Sequence, residues 1–442
     1  MDERFWITTL GCPKNEVDSQ KLTGRLAAAG YGPAQNPREA DLVVVNTCAF
    51  IEDARAESIE TIFELDGLRK PGSRLVVTGC LAERSGEELA DAIGEIDLVA
   101  GFGVPVELRT ARRVVRAAAG DLSADGPVHT FDLLELPRPP SSAPWAYVKV
   151  AEGCDRRCGF CAIPSFRGKQ RSRSSASILA EIEALNVREI VLVAQDLASY
   201  GRDRSTDARQ RESEDPGIVE LIDAAAQRVD RVRLLYLYPS SLNDRLVEAV
   251  LGTGVPYFDL SLQHASGSLL RKMRRWGDAA RFLERLRRIR RLESGAVFRS
   301  SFILGYPGET EDDHDQLLRF IEEANLDWAG FFTFSREEGT LAAGLGEQVP
   351  SALALERLRE CSELQDSITA GRRRELVGTM SDVLVDRPGR GRSYREAPEI
   401  DGVIRVPRSL PAGWLGPVRI TGAVGTDLHA VPAFELVSGS AP

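Results

Sequence analysis

Apolar residues fall into short β-prone runs separated by longer helical patterns, and the alternation begins at the N-terminus. Phe5–Leu10, Asp41–Asn46 and Arg74–Val77 are strand-like, and they lead into Gly11-Cys12, Thr47-Cys48 and Thr78-Gly79-Cys80. Helical spacing follows each run, at Asp18–Ala29, Ala54–Leu65 and Glu87–Ile93. Strand–helix repeats of this kind predict a doubly wound parallel sheet in an α/β fold. The Pro-rich stretch 137–144 reads as a stiff linker. Six further strand candidates follow: Ala146–Glu152, Glu189–Ala194, Val232–Tyr238, Phe258–Leu262, Val297–Leu304 and Trp328–Phe334. Helical stretches lie between them, including Ala176–Leu185, Ile218–Val229, Asp278–Leu292 and Glu311–Ala324. This pattern predicts an open partial barrel of six βα units with its site at the C-terminal strand ends. The polar segment Arg202–Pro216 reads as a mobile loop. After a long helix, Ser351–Leu376, β-like runs at Gly378–Val385, Ile400–Val406 and Gly416–Gly425 predict a small β-barrel. The expected organisation is an N-terminal domain at 1–136, the linker, a core at 145–375 and a C-terminal barrel at 376–442.

Charge and composition narrow the function. The 442 residues carry a formal net charge of −10, which disfavours a surface that grips nucleic acid everywhere. The first residues lack the pattern of a signal peptide and no run is apolar enough to span a bilayer, so a cytoplasmic protein with no membrane partner is expected. Seven cysteines, an odd number in a long chain of this type, point to metal or catalysis in place of a disulfide framework. None of the four histidines stands near a cysteine pair at finger-like spacing.

Cys154, Cys158 and Cys161 lie in one loop just after the first predicted core strand. Three thiolates at this spacing hold three irons of a [4Fe–4S] cube and leave the fourth open to a small molecule. A zinc ribbon needs a second CxxC, and a thioredoxin-type dithiol leaves Cys154 unexplained. The surrounding segment, EGCDRRCGFCAIPSFRGKQRSR at 152–173, resembles the radical S-adenosylmethionine (SAM) superfamily, specifically its methylthiotransferase branch. The resemblance extends over nearly the whole chain and implies an N-terminal methylthiotransferase domain, a radical SAM core and a C-terminal TRAM domain. It implies SAM as cofactor, chelated by its methionine moiety at the open iron, and an electron donor such as flavodoxin or ferredoxin.

Cys12, Cys48 and Cys80 are 36 and 32 residues apart and, taken alone, fit core packing better than a metal site. Each nevertheless follows a parallel strand, so all three emerge at one sheet rim, where open α/β sheets bind ligands. Their motifs resemble the family's auxiliary-cluster motifs, which implies a second [4Fe–4S] cluster. The resemblance also implies SAM contacts from Gln195 at the end of the second core strand, and from Gln263 and Arg275 at and after the end of the fourth. It places Phe160 and Ile163 against adenine, beside the Gly305–Glu309 turn. The competing reading of these residues is a tight connection and surface charge. No further catalytic residue is identified. Arg271–Arg291 holds ten basic and two acidic residues, a solvated helix face or, more sharply, a patch for an acidic or ribosomal partner. Cys361, alone in a helical pattern, reads as packing.

Two branches of the family share this architecture. One modifies an aspartate β-carbon in ribosomal protein S-twelve, the other an adenosine in transfer RNA. Val193–Gly201, Glu152–Cys158 and Glu396–Gly402 resemble the ribosomal-protein branch, and the transfer-RNA branch usually has Asn where Asp196 stands. From Leu376 onward there are seven Arg and no Lys against seven acidic residues, a poor balance for gripping phosphates, so RNA binding is expected to be weak or indirect. The acidic Glu396–Asp401 loop suggests a recognition surface for a basic ribosomal protein. The remote alternative is a non-enzymatic iron–sulfur electron carrier or RNA-binding scaffold, which needs neither Gln263 nor Arg275.

Overall fold

The computed structural model describes residues 3–106, 132–204 and 217–434. Most of the polar segment Arg202–Pro216 and the extreme C-terminus lie outside these residues. Five parallel strands form the N-terminal sheet: β1 (Arg4–Thr9), β2 (Gly32–Pro33), β3 (Leu42–Thr47), β4 (Arg74–Gly79) and β5 (Leu98–Ala100). Their spatial order is β2-β1-β3-β4-β5. Helices α1 (Pro13–Ala28), α2 (Glu52–Leu68) and α3 (Cys80–Ala92) connect them. Every residue of β3 is buried, as expected for a central parallel strand covered on both faces.

The linker is packed down. Arg138 lies against the core, donating to the Tyr147 carbonyl at 2.5 Å and pairing with Glu181 at 2.9 Å. A Cβ at Gly24 of α1 would come within 2.8 Å of the Pro137 carbonyl, so glycine permits this close passage.

In the core, β6 (Trp145–Lys149) is followed by the two-residue pair β7 (Ala151–Glu152) and β8 (Arg171–Ser172). The parallel strands β9 (Glu189–Val193) and β10 (Arg231–Leu234) add to β6. A second parallel group comprises β11 (Tyr257–Gln263), β12 (Val297–Leu304) and β13 (Trp328–Thr333). A single bridge, Leu237 to Leu260, joins the two groups. Chain order and spatial order coincide, giving the open six-stranded partial barrel. Outside it pack helices whose buried faces form the largest apolar cluster, which includes Cys361. The helix at Asp244–Gly252 was not anticipated; its N-cap Asn243 accepts from the Leu246 amide and its apolar stripe is short.

The C-terminal barrel is closed by β14 (Met380–Arg387), β15 (Arg390–Arg392), β16 (Ile404–Arg405), β17 (Leu415–Val424) and β18 (Asp427–Pro432). Two strands escaped the hydrophobic pattern: β15 reads Arg-Gly-Arg and β18 carries Asp, His and Pro, so closure and not apolar content recruits them. The run Ile400–Val406 contracts to β16 because residues before it leave the barrel and fill the base of the core. Ala397 and Ile400 pack there with Tyr147, Tyr257 and Trp328.

This overturns the reading of Glu396–Asp401 as a docking surface. Glu396 is fully buried against Arg373 and accepts from the Ser393 amide at 2.8 Å and the Ser393 hydroxyl at 2.7 Å. The Asp401 carboxylate accepts from the Tyr257 hydroxyl at 2.6 Å and the Ala397 amide at 2.8 Å, with Arg299 at 3.5 Å. Burial, only partly offset by Arg299, pushes its pKa up to about 6. Two of the loop's three acids therefore bind the barrel to the core. The basic run divides into a helix at Gly267–Lys272 and one at Ala279–Leu292, whose Phe282, Leu283, Leu286 and Ile289 are buried while Arg285 and Arg288 pair with Asp244 and Arg287 pairs with Glu323.

Glu189 sits at the same junction with no exposure, 2.9 Å from Arg233 and 3.0 Å from Arg392 of the barrel. Removing one partner from a buried ion pair strands the others, at about 3–5 kcal/mol. Glu189→Gln is therefore expected to lower unfolding stability by about 3 kcal/mol in urea melts; a loss under roughly 1 kcal/mol, the range of exposed pairs, contradicts this account of the junction.

Candidate active site

Two groups of cysteines lie near the junction of the N-terminal sheet and the core, where Cys80 packs in one cluster with Ala162 and Phe166. In the first, β1, β3 and β4 end at the same rim. Cys12 is the N-cap of α1, Cys48 directly follows β3 and Cys80 is the first residue of α3. Helix N-termini carry partial positive charge and favour thiolates. Gly79 makes the turn into Cys80 with φ of +90°, and a Cβ there would lie 2.4 Å from Asn46 Oδ1 and 2.5 Å from the Thr47 carbonyl. Asn15 fixes the rim from inside, donating to the carbonyls of Leu10 at 2.8 Å and Thr47 at 3.0 Å. Ser58 of α2 donates to the Cys48 carbonyl at 2.9 Å and accepts from its amide at 3.1 Å.

The second group occupies the loop after β7. Gly153, with φ of +78°, allows the Lys169 carbonyl to pass where a Cβ would stand 2.1 Å away. The Cys154 amide donates to the Gly168 carbonyl at 3.0 Å, and the Gly159 amide to the Met273 carbonyl at 2.8 Å. All seven cysteines are free thiols. Among the described residues no three His, Cys, Asp or Glu side chains gather around a single ion. All-sulfur donor sets are of the kind that iron–sulfur clusters take.

A buried charge network joins the groups. Arg167 donates to Cys80 Sγ at 3.0 Å and Asn15 Oδ1 at 2.6 Å on one side, and to both oxygens of Glu152 at 2.8 and 2.9 Å on the other. Lys149 bonds Glu152 at 2.7 Å and pairs with Asp18 of α1, and Gln195 donates to Glu152 at 2.7 Å. Burial alone would protonate Glu152, but Arg167 and Lys149 hold its carboxyl far below the usual range. Arg167, Glu152, Lys149 and Asn15 carried no assigned role in the sequence. They lie within or beside the cysteine motifs, and only the fold reveals that they meet.

The other sequence candidates converge in part. Gln195 Oε1 and Asp196 Oδ1 are buried without a hydrogen-bond partner, so acceptors remain free for a donor such as an ammonium group. Asp196 also receives Arg156 at 2.6 Å. Arg156 and Arg275 both lie over Tyr238, each 3.9 Å from the ring centroid, and Arg275 reaches Cys158 Sγ at 3.4 Å. Gln263 ends β11 at a register shift, with φ of +73°. Phe160 and Ile163 pack in different directions, Phe160 against the core cluster and Ile163 against the N-terminal one. The Gly305–Glu309 turn is closed by its own Glu309, which accepts from the amides of Gly305 and Tyr306.

Three family models match in sequence: Uncharacterized protein family UPF0004 at residues 4–101, the Radical SAM superfamily at 148–321 and a TRAM domain at 377–432. Together with the two thiol groups they define a radical SAM enzyme that uses SAM and [4Fe–4S] chemistry. The chain is 41% identical to ribosomal protein uS12 methylthiotransferase RimO of Anaeromyxobacter sp. (strain Fw109-5), over 96% of this chain and 92% of that one. It is 38% identical to the protein of that name from Aquifex aeolicus (strain VF5), over 99% of both. Among solved structures, the radical SAM methyltransferase TsrM from Kitasatospora setae is 15% identical, covers 75% of this chain and 73% of its own, and has a TM-score of 0.49. The chain belongs to the RimO family of radical SAM methylthiotransferases. No helix among the described residues is long and apolar enough to cross a membrane.

The thiols differ in acidity. Burial opposes ionisation of Cys12, but Lys14 and Arg167 with the Asn15 and Lys14 amides pull its pKa below the ordinary thiol value. Burial pushes Cys48 and Cys154 up to about 11 and Cys161 up to about 12. The lower pKa leaves a larger thiolate fraction at pH 8. In anaerobic, metal-free protein at pH 8, Cys12 is therefore expected to be carboxymethylated before Cys161, followed by peptide mass spectrometry; reaction of Cys161 first contradicts this assignment.

Proposed function

We propose that Cys154, Cys158 and Cys161 hold one [4Fe–4S] cluster, that Cys12, Cys48 and Cys80 hold a second, and that the chain methylthiolates the β-carbon of an aspartate in ribosomal protein uS12. The observation that supports this reading is the buried Arg167, which bonds Cys80 of one triplet and Glu152, two residues before Cys154 of the other. When bound, SAM and the clusters supply a hydrogen-abstracting deoxyadenosyl radical, the inserted sulfur and the methyl group.

The protein's own part is orientation. The free oxygens of Gln195 and Asp196 accept from the methionine ammonium, and Arg275, whose terminal nitrogens donate to Cys158 Sγ and the Ser261 carbonyl, would release these bonds to pair with the methionine carboxylate. Arg156 holds Asp196 in place and is itself fixed by Ser241 at 2.8 Å. Arg167 places a permanent positive charge beside Cys80 and favours its thiolate, although burial raises that thiol overall. No general base is required at the substrate carbon, because an aspartate β C–H is too weakly acidic for a side chain to deprotonate usefully. Holding both sulfur-rich loops on one buried charge network would make capture of the substrate radical effectively intramolecular.

A protein substrate is supported by the names of the relatives and by the even charge balance of the small barrel, which carries no excess of cations for phosphate. Electron delivery falls to a small reductant of the flavodoxin or ferredoxin kind.

Replacing Cys12, Cys48 and Cys80 with Ala is expected to halve iron and sulfide in anaerobically reconstituted protein while preserving reductive SAM cleavage. Replacing Cys154, Cys158 and Cys161 also halves iron and abolishes cleavage. Full iron in the first triple variant removes the second cluster. With a uS12 peptide deuterated at the aspartate β-carbon, deuterium is expected in 5′-deoxyadenosine and a methylthio group on the peptide. Modification of transfer RNA in place of the peptide contradicts the substrate assignment.

A further inference from the structure

The segment after β13 bonds to elements that carry both cysteine groups: the helices that follow Cys48 and begin at Cys80, and the loop that holds Cys158 and Cys161. Ser335–Thr340 runs along the surface, yet Glu337 within it is buried, its side chain 2% exposed. Its carboxylate receives Arg55 of α2 at 2.5 Å and Arg84 of α3 at 2.6 Å through one oxygen, and the Ser335 hydroxyl at 2.5 Å through the other. Arg84 stands four residues after Cys80, and the same guanidinium nitrogen donates to the carbonyl of Ala49, next to Cys48, at 3.0 Å. Ser335 also accepts from the amide of Glu52, the first residue of α2, at 3.1 Å. The strand-to-helix loops that present Cys48 and Cys80 are thus bonded to a core segment.

At its other end the segment meets the second group. Glu337 fixes its turn, since its carbonyl accepts from the Thr340 hydroxyl at 2.6 Å. Two residues further on, the Ala342 amide donates to the carbonyl of Gly159, between Cys158 and Cys161, at 2.8 Å. A Cβ at Gly159 would lie 3.4 Å from the Leu341 side chain, so the segment also packs on the SAM-binding loop. The eight residues Ser335–Ala342 therefore form a strap from α2 and α3 to the loop of the second triplet, and it shares no residue with the Arg167–Glu152 link.

The geometry points to Glu337 as a positioning residue: its carboxylate, by holding Arg55 and Arg84, sets the placement of the auxiliary cysteine loops relative to the SAM-binding loop. It touches no thiol, so it adds nothing to iron binding or SAM cleavage directly. It governs whether the substrate carbon, once activated, stands where sulfur is presented. Misplacement of about 1 Å costs on the order of a hundredfold in a step that depends on alignment. This inference rests on the proposed assignment of both triplets as cluster sites.

The test is Glu337→Gln in the full chain, which keeps the side-chain volume but removes the negative charge that Arg55 and Arg84 both bond. Reconstituted protein is assayed for iron, for 5′-deoxyadenosine and for methylthiolated uS12 peptide. Wild type that binds only one cluster or makes no methylthiolated peptide defeats the underlying assignment, before any variant is compared. Given an active wild type, the variant is expected to keep its iron and its deoxyadenosine rate within about twofold, while product per deoxyadenosine falls about ten- to a hundredfold. An unchanged ratio overturns the inference even if the melting temperature drops, and so does loss of half the iron. Ser335→Ala is a milder variant that removes one hydroxyl from the same carboxylate. It is expected to lower the ratio in the same direction, by about threefold, and an unchanged ratio there counts equally against the strap.

Discussion

Four charges meet out of water where the N-terminal sheet packs on the core: Arg167 and Lys149 from the core, Glu152 beside them, and Asp18 from α1. Such a group costs several kcal/mol of desolvation per ion and persists only when the signs balance and hydrogen bonds are filled. Here two cations face two anions, and the remaining donor positions go to Asn15 and Cys80. The constraint runs both ways. The sheet and the barrel cannot shift against each other without stranding a buried charge, so the loops bearing the two cysteine groups are held at a set separation. A reaction in which one group activates a substrate carbon and the other presents sulfur to it would depend on that separation.

The opposite end of the core is closed by the same kind of device. Glu189 with Arg233 and Arg392, Glu396 with Arg373, and Asp401 with Tyr257 and Arg299 bind the small barrel into the base of the partial barrel. An open six-stranded barrel leaves its interior exposed unless something fills it. Ala397 and Ile400 do so with apolar contact, and the acids around them satisfy arginines that line the interior. The small barrel is thus part of the structural base of the core, and Glu396 and Asp401 are taken up in that role.

The architecture was readable because it follows from periodicity. β3 is an unbroken apolar run, β12 alternates, and the helices between strands carry regular apolar stripes. The cysteines were readable because their types and positions at strand ends are local. What escaped is what depends on distant partners. Arg167 and Glu337 look like surface charges in sequence, and only their contacts 87 and 253 residues away, to Cys80 and Arg84, give them a place. The Glu396–Asp401 loop was misread for the same reason: its acids have buried arginine partners that no local pattern announces. β15 and β18 were missed because barrel closure recruits strands of low apolar content.

If each cysteine triplet holds a cluster, the Arg167–Glu152 network keeps the two close to one another. The most direct measurement is electron paramagnetic resonance of fully reconstituted protein reduced at both clusters. The account predicts magnetic coupling between two [4Fe–4S]+ centres, seen as splitting or faster relaxation that disappears when either cysteine triplet is replaced. A doubly reduced spectrum equal to the sum of the two single-cluster spectra would contradict it.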